Sequence, residues 1–179
     1  MRLVKHRPDP AGGDDPLAHL DALYRLARHL SRSAADAEDL VQETYARAFR
    51  GAAGFTIGTD RRAWLFRILR NAFLDQRRRE ARMPLEPEPL EGDFPEPAPG
   101  DGLLRGDAEL EQLRRVVGAE IEAALRGLSE EARMVVLLDV EGLSEAEMAE
   151  VMGCAPGTVK SRLYRARAAL RERLGEYRR

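Results

Sequence analysis

One stretch constrains this chain more than any other: MPLEPEPLEGDFPEPAPGDG, from Met83 to Gly102. Pro84, Pro87, Pro89, Pro95, Pro97 and Pro99 each remove an amide donor and block a helix. Glu86, Glu88, Glu91, Asp93, Glu96 and Asp101 repel one another, with no basic residue among them. A segment of this kind cannot sit inside a packed core, so folding must happen on either side of it. The expected organisation is a tail over 1–15, a helical unit over 16–82, an extended linker over 83–106 and a second helical unit over 107–179. Fully stretched, the 20 residues from Met83 to Gly102 reach about 66 Å. Two roles stay open for the linker: a passive tether, or an acidic strand lying in a basic channel of a partner.

The flanks are built for helix. Hydrophobic residues make up 44% of the chain and aromatics only 6%, which leaves Ala, Leu, Arg and Glu to dominate. No strand pattern is present, and the expected class is all-α with two small domains. In the first unit Asp15 and Pro16 are placed to open a helix running to about Leu30. Ser33 with Asp36 starts a second, AADAEDLVQETYARAFRGA, in which Leu40, Val41, Tyr45, Ala48 and Phe49 recur at helical spacing. The glycines of GAAGFTIGT break the pattern, and Thr59 or Asp60 starts a third helix to about Glu80. In the second unit a helix from Asp107 to Arg126 ends at Gly127, and Ser129 caps EEARMVVLLDV, which stops at Gly142. Ser144 and Glu147 box the short helix EAEMAEVM. Gly153 turns the chain into a last helix from Pro156 to Leu174.

The formal net charge of -2 conceals segregation. The acidic linker lies between Arg61, Arg62, Arg67, Arg70, Arg77, Arg78, Arg79 and Arg82 on one side and the basic last helix on the other. Local charge decides whether a polyanion is attracted, because screening acts within about 8 Å at physiological salt. The single cysteine, Cys154, excludes an internal disulfide and reads as a small turn residue. No metal-ligand spacing, nucleophile–base pair or phosphate loop is present, so neither a cofactor nor an enzymatic activity is expected. No apolar run approaches the roughly 20 residues that cross a bilayer, and the N-terminus lacks a signal-peptide core; a cytoplasmic protein without membrane insertion is expected.

A short capped helix, a glycine turn and a longer basic helix form a helix-turn-helix signature. Val159, Leu163, Ala166, Leu170 and Leu174 share one stripe of the last helix. Ser161, Tyr164, Arg165 and Ala168 lie opposite, with Thr158 nearby and Lys160, Arg162, Arg167 and Arg171 flanking. A polar N-terminal face ringed by cations suits base edges at the centre and phosphates around them. In the third helix Trp64, Leu65, Ile68, Leu69 and Ala72 form the expected core stripe. Arg67, Asn71, Leu74 and Arg78 continue along the edge that begins at Trp64, with Phe55 in the preceding loop. Two roles stay open to Trp64, core residue and stacking platform.

DAEDLVQETYARAF, RRAWLFRILRNAFLDQRRR and GLSEAEMAEVMGCAPGTVKSRLYRARAAL, in this order and around such a linker, resemble the extracytoplasmic function (ECF, group IV) sigma factors of bacteria. The resemblance covers about 16–82 and 116–174, as region 2 and region 4 domains. It implies a factor that binds core RNA polymerase, recognises -35 and -10 promoter elements and promotes melting. The polymerase contacts implied are the clamp helices of the largest subunit, at Asp36, Asp39, Leu40, Gln42 and Glu43, and the flap of the second subunit. Phe55 and Asn71 fall where the family holds the separated -10 strand, and Arg61, Arg62, Trp64, Arg67 and Arg78 belong to the same candidate set. Arg61 departs from the apolar or aromatic residue usual just before RAWL, which bears on -10 preference. Thr158, Lys160, Ser161, Arg162, Tyr164 and Arg165 fall at -35-reading positions. The family further implies duplex and melted promoter DNA as partners, an anti-sigma factor that could hold the protein near the membrane, and no obligate homo-oligomer. Regulation is expected from outside, since no sensory extension follows Leu174. The alternative is a stand-alone helix-turn-helix regulator of the LuxR kind.

Overall fold

In the computed structural model the described residues are 17–51, 60–82 and 107–175, with side chains described from 116 onward in the last span. Phe55, the tail over 1–15, the linker and Arg178–Arg179 lie outside them. The described residues form seven helices and no strand, the all-α class expected.

The first three helices are α1 (Leu20–Leu30), α2 (Ala34–Arg50) and α3 (Arg61–Glu80). They pack pairwise on one another around Leu23, Leu26, Leu40, Val41, Leu65 and Leu69. The start of α1 differs from expectation. Leu17–His19 form a turn, and His19 occupies the cap position without a side-chain hydrogen bond. Asp15 and Pro16 lie outside the described residues. The α2 cap is as expected. The Ser33 hydroxyl accepts from the Asp36 amide, and the Ser33 amide donates to the Asp36 carboxylate, so two orphan donors are satisfied at once. Asp60 caps α3, its carboxylate accepting from the amides of Arg62 and Ala63 at 2.7 and 3.2 Å.

The remaining helices are α4 (Asp107–Arg126), α5 (Glu130–Val140), α6 (Glu145–Met152) and α7 (Pro156–Gly175). α7 packs on α4, α5 and α6. Ser129 accepts from the Ala132 amide at 3.3 Å, and the Ser144–Glu147 box is formed. Gly153 adopts a φ of 63°, the left-handed conformation in which L side chains are strained, and so turns α6 into α7. The C-terminus of α4 is closed by two guanidinium groups. Arg133 donates to the carbonyls of Leu125 and Arg126, and Arg173 to that of Ala124.

Four apolar positions depart from the stripes. Phe49 keeps the α2 register but is 62% exposed. Leu170 and Leu174 are half-buried while Val159, Leu163 and Ala166 carry the α7 core face. Phe66, outside the expected α3 stripe, is fully buried, because α3 packs on α6 of the second unit as well as on α1 and α2. The buried residues of both units therefore form one continuous cluster.

Candidate nucleic-acid and polymerase interfaces

On α7 the buried stripe fixes which side chains face out. Lys160, Ser161, Tyr164, Arg165, Ala168 and Arg171 are exposed, and Tyr164 leaves 74% of its surface open. An exposed tyrosine of this size, set between Ser161 and Arg165, gives the outer face one aromatic plane, one hydroxyl and one guanidinium within a single turn. Ser161 donates its hydroxyl to the Thr158 carbonyl at 3.0 Å, and Arg165 donates to the Ser161 carbonyl at 3.3 Å. Thr158 itself is half-buried. Arg162 is held within the fold: it pairs with Glu131 of α5 at 2.7 Å, and its Nη1 lies 3.9 Å from the Cys154 sulfur. Arg167 is likewise bound to Asp139 of α5, at 2.5 Å. The cations of α7 thus divide into Lys160, Arg165 and Arg171 on the open side, Arg162 and Arg167 tied back to α5, and Arg173 tied to α4.

On α3 Arg67, Asn71 and Arg78 are exposed along one ridge, and Trp64 sits half-buried against the core at its head. Arg78 lies 3.6 Å from Asp75, one turn back. Arg61 is half-buried. Arg62 leaves the ridge altogether. Its guanidinium lies over the Phe66 ring, 5.6 Å from the centroid, and donates to the backbone carbonyl of Glu141 and to the Glu141 carboxylate. About 100° per residue separates neighbours on a helix, so Arg62 falls on the α6 side while Arg67, Asn71 and Arg78 stay together on the other.

Along α2, Asp39 and Gln42 are exposed and Asp36 and Glu43 are half-buried. Asp36 is engaged in the cap. Glu43 pairs with Arg47 at 2.7 Å and Arg50 at 3.4 Å. Those guanidinium groups hold the Glu43 carboxyl below its ordinary value, the hydrogen bond from Arg47 being the largest cause. Leu40 is 3% exposed and belongs to the core beneath that edge.

No spacing or motif in the chain marks the contacts between the two units. Arg25 of α1 grips the Glu141 carboxylate through Nε and Nη2 at 2.9 and 2.8 Å, and Arg77 of α3 donates to Glu130 of α5 at 2.9 Å. His29 meets Glu122 at 2.6 Å, and Arg133 donates to the His29 carbonyl at 3.4 Å. Burial works to raise the Asp60 carboxyl, but a hydrogen bond shared with the Glu147 side chain of α6 and those donated by the Ala63 and Arg62 amides outweigh it and hold it low. The only signal available beforehand was local: Glu141 has no basic residue within four places in either direction, so a half-buried carboxylate there needs a distant partner.

Among the described residues no group of His, Cys, Asp and Glu could hold a metal ion, and no helix is long and apolar enough to cross a membrane.

Comparison with known proteins bears on both units. Residues 17–83 match the family described as Sigma-70 region 2, and residues 118–170 match Sigma-70, region 4. The chain is 42% identical over 161 residues to the ECF RNA polymerase sigma factor SigE of Mycolicibacterium smegmatis, with 89% of this chain and 60% of that protein covered. It is 39% identical over 158 residues to SigM of Mycobacterium tuberculosis, covering 88% of this chain and 74% of that one. To SigW of Bacillus subtilis it is 30% identical, with 97% and 94% covered. Among solved structures, the sigma factor RpoE in complex with the anti-sigma factor NepR from Bartonella quintana superposes with a TM-score of 0.66, at 34% identity, over 89% of this chain and 93% of that one. CnrH in complex with the cytosolic domain of CnrY gives a TM-score of 0.60, at 30% identity, over 88% and 83%. A region 2 match has no place in a stand-alone helix-turn-helix regulator, so the LuxR-like alternative is not favoured. With both regions present in order and relatives matched across most of their length, the chain belongs to the ECF RNA polymerase sigma factors.

Proposed function

We propose that this chain joins core RNA polymerase and directs it to promoters through two separate faces, as a group IV sigma factor of the cytoplasm and not an enzyme. The observation that carries this reading is the pairing of two outward faces suited to different nucleic-acid states, on two units that each match a sigma region. The units are taken as 16–82 and 107–179, joined by the linker over 83–106.

The α7 face suits duplex DNA. Ser161, Tyr164 and Arg165 take the base edges of the -35 element, and Lys160 and Arg171 take phosphates. Thr158 and Arg162 support that face from its flank. The α3 ridge suits a separated strand. Melting without ATP needs a place for an unstacked base, and an aromatic with an amide edge beside it offsets an unstacking cost of a few kcal/mol. Asn71 supplies the amide and Trp64 the aromatic, together with Phe55 of the preceding loop; Arg67 and Arg78 meet phosphates. Arg61 and Arg62 join them at the head of the helix when Arg62 is released from Glu141. Asp39, Gln42 and Glu43, with Asp36 and Leu40 beneath them, form the acidic edge for the polymerase clamp helices. The region 4 unit takes the flap. Two solved relatives are complexes with NepR, an anti-sigma factor, and with CnrY, and we assign this chain a regulator of that class, which could hold it near the membrane.

Run-off transcription with core polymerase on genomic fragments tests the reading. Discrete transcripts that need both core and this chain support it. No transcript from any fragment, with a core that is active with another sigma factor, overturns it.

A further inference from the structure

Between Pro156 and Arg171, α7 carries Lys160, Arg162, Arg165, Arg167 and Arg171 and no acidic residue. Two of these cations are neutralised from α5. Arg162 pairs with Glu131 at 2.7 Å, and Arg167 with Asp139 at 2.5 Å. At about 100° per residue, the two arginines lie about 70° to either side of the buried Val159, Leu163 and Ala166 stripe. Arg162 is therefore a helical neighbour of Arg165, three places on, and Arg167 of Arg171, four places on. Each withheld guanidinium sits at the border of the outward face, next to a cation that is open.

These pairs are not what holds α7 in place. Val159, Leu163 and Ala166 anchor it against α5 and α6. The Glu131 side chain is 58% exposed and that of Arg167 is 48% exposed, and ion pairs open to solvent add little to stability. Their larger consequence is for binding. A guanidinium that meets a DNA phosphate releases counterions, and it adds the same affinity to every sequence. Five open cations would hold this helix on any duplex. With Arg162 and Arg167 occupied, only Lys160, Arg165 and Arg171 are left open around the base-reading face.

We propose that Glu131 and Asp139 are specificity-determining residues, which withhold Arg162 and Arg167 from the phosphate backbone. They stand where phosphates would stand, and so keep sequence-independent binding by α7 low. The free chain is then not retained on random DNA, and promoter binding depends on the base contacts and on polymerase. The purpose of this device rests on the sigma-factor reading. The withholding itself is a property of the chain and duplex DNA, and is measurable without transcription.

The test titrates the full chain, without polymerase, against a labelled random-sequence duplex at salt concentrations from about 50 to about 200 mM. Fluorescence anisotropy gives the binding constant, and its logarithm is plotted against that of the salt concentration. Glu131→Gln is expected to steepen the slope by about 0.9, the value of one phosphate contact, and to tighten binding severalfold at about 100 mM salt. Asp139→Asn should do the same through Arg167, and the two together should add about 1.8. Glu131→Gln made in an Arg162→Ala background, and Asp139→Asn in an Arg167→Ala background, should leave the slope of that background unchanged. Unchanged slopes in both Glu131→Gln and Asp139→Asn overturn the proposal. So does a steepening that persists in the alanine backgrounds, because the carboxylates would then act by their own charge. Weaker binding at an unchanged slope also overturns it, since it would reduce Glu131 and Asp139 to supports of the helix. Failure of the unsubstituted chain in run-off transcription counts against the sigma-factor reading alone and leaves the slopes standing.

Discussion

Arg162 of α7 is bonded to Glu131 of α5 at 2.7 Å, so a guanidinium that the family resemblance puts among the -35 contacts is engaged inside the protein. The two arginines three places apart, Arg162 and Arg165, thus have different work. Arg162→Ala is expected to cost stability, about 1 kcal/mol for a pair that is partly exposed on the Glu131 side, with promoter discrimination kept. Arg165→Ala is expected to leave stability alone and weaken the upstream contact by about 1–3 kcal/mol. Denaturant midpoints and binding of region 4 sites by the holoenzyme separate the two outcomes.

Asn71 is exposed on the α3 ridge and makes no contribution to the core. Asn71→Ala should therefore leave the fold and the closed promoter complex intact and damage strand separation. Permanganate footprinting of holoenzyme complexes reads this directly. Normal opening in the variant would remove Asn71 from the strand-holding set.

Gly153 provides a test of the helix-turn-helix itself. Its φ of 63° strains any L side chain, while a Cβ there would meet nothing within 4 Å. The cost of Gly153→Ala is then conformational only, about 1–2 kcal/mol, with Gly153→Asn intermediate. Gly127 differs, because a Cβ would meet the Arg173 guanidinium, the far end of a flexible side chain that can move aside. Gly153→Ala should lower the melting temperature more than Gly127→Ala.

His19 caps α1 and titrates below its ordinary value, first because it is buried and then because Arg62 lies near. A depressed histidine favours folding in its neutral form. Its contribution is fully present above the unfolded value of about 6.5 and is lost as pH falls through the lower folded value. Stability should decline between about pH 7 and pH 5, and the slope over that range should be shallower in His19→Gln. Urea midpoints across the range check the sign.

Helix positions were legible because the groups that set them are local. Ser33, Asp60, Ser129 and Ser144 each cap within three residues, and Gly153 turns where a left-handed residue is needed. What lay beyond reach is contact between residues distant in the chain, first of all the packing of α3 on two sides. A single-stripe reading buries Leu65 and Leu69 correctly but leaves out Phe66, and it keeps Arg62 with Arg67 although the two face different neighbours. The partner of Arg25 is 116 residues away, a separation no periodicity records. Arg162 has no acid at helical spacing within α7, and its partner comes from α5. Phe49 shows the converse: its register was right, and among the described residues no element buries it at that end of α2.

The most direct measurement compares binding to one promoter fragment by this chain alone and by the chain with core polymerase, at the same salt. Sequence-specific binding that appears only with core, followed by opening around the -10 element, is the expected result. Tight, specific binding to duplex DNA by the isolated chain, unchanged when core is added, would contradict it.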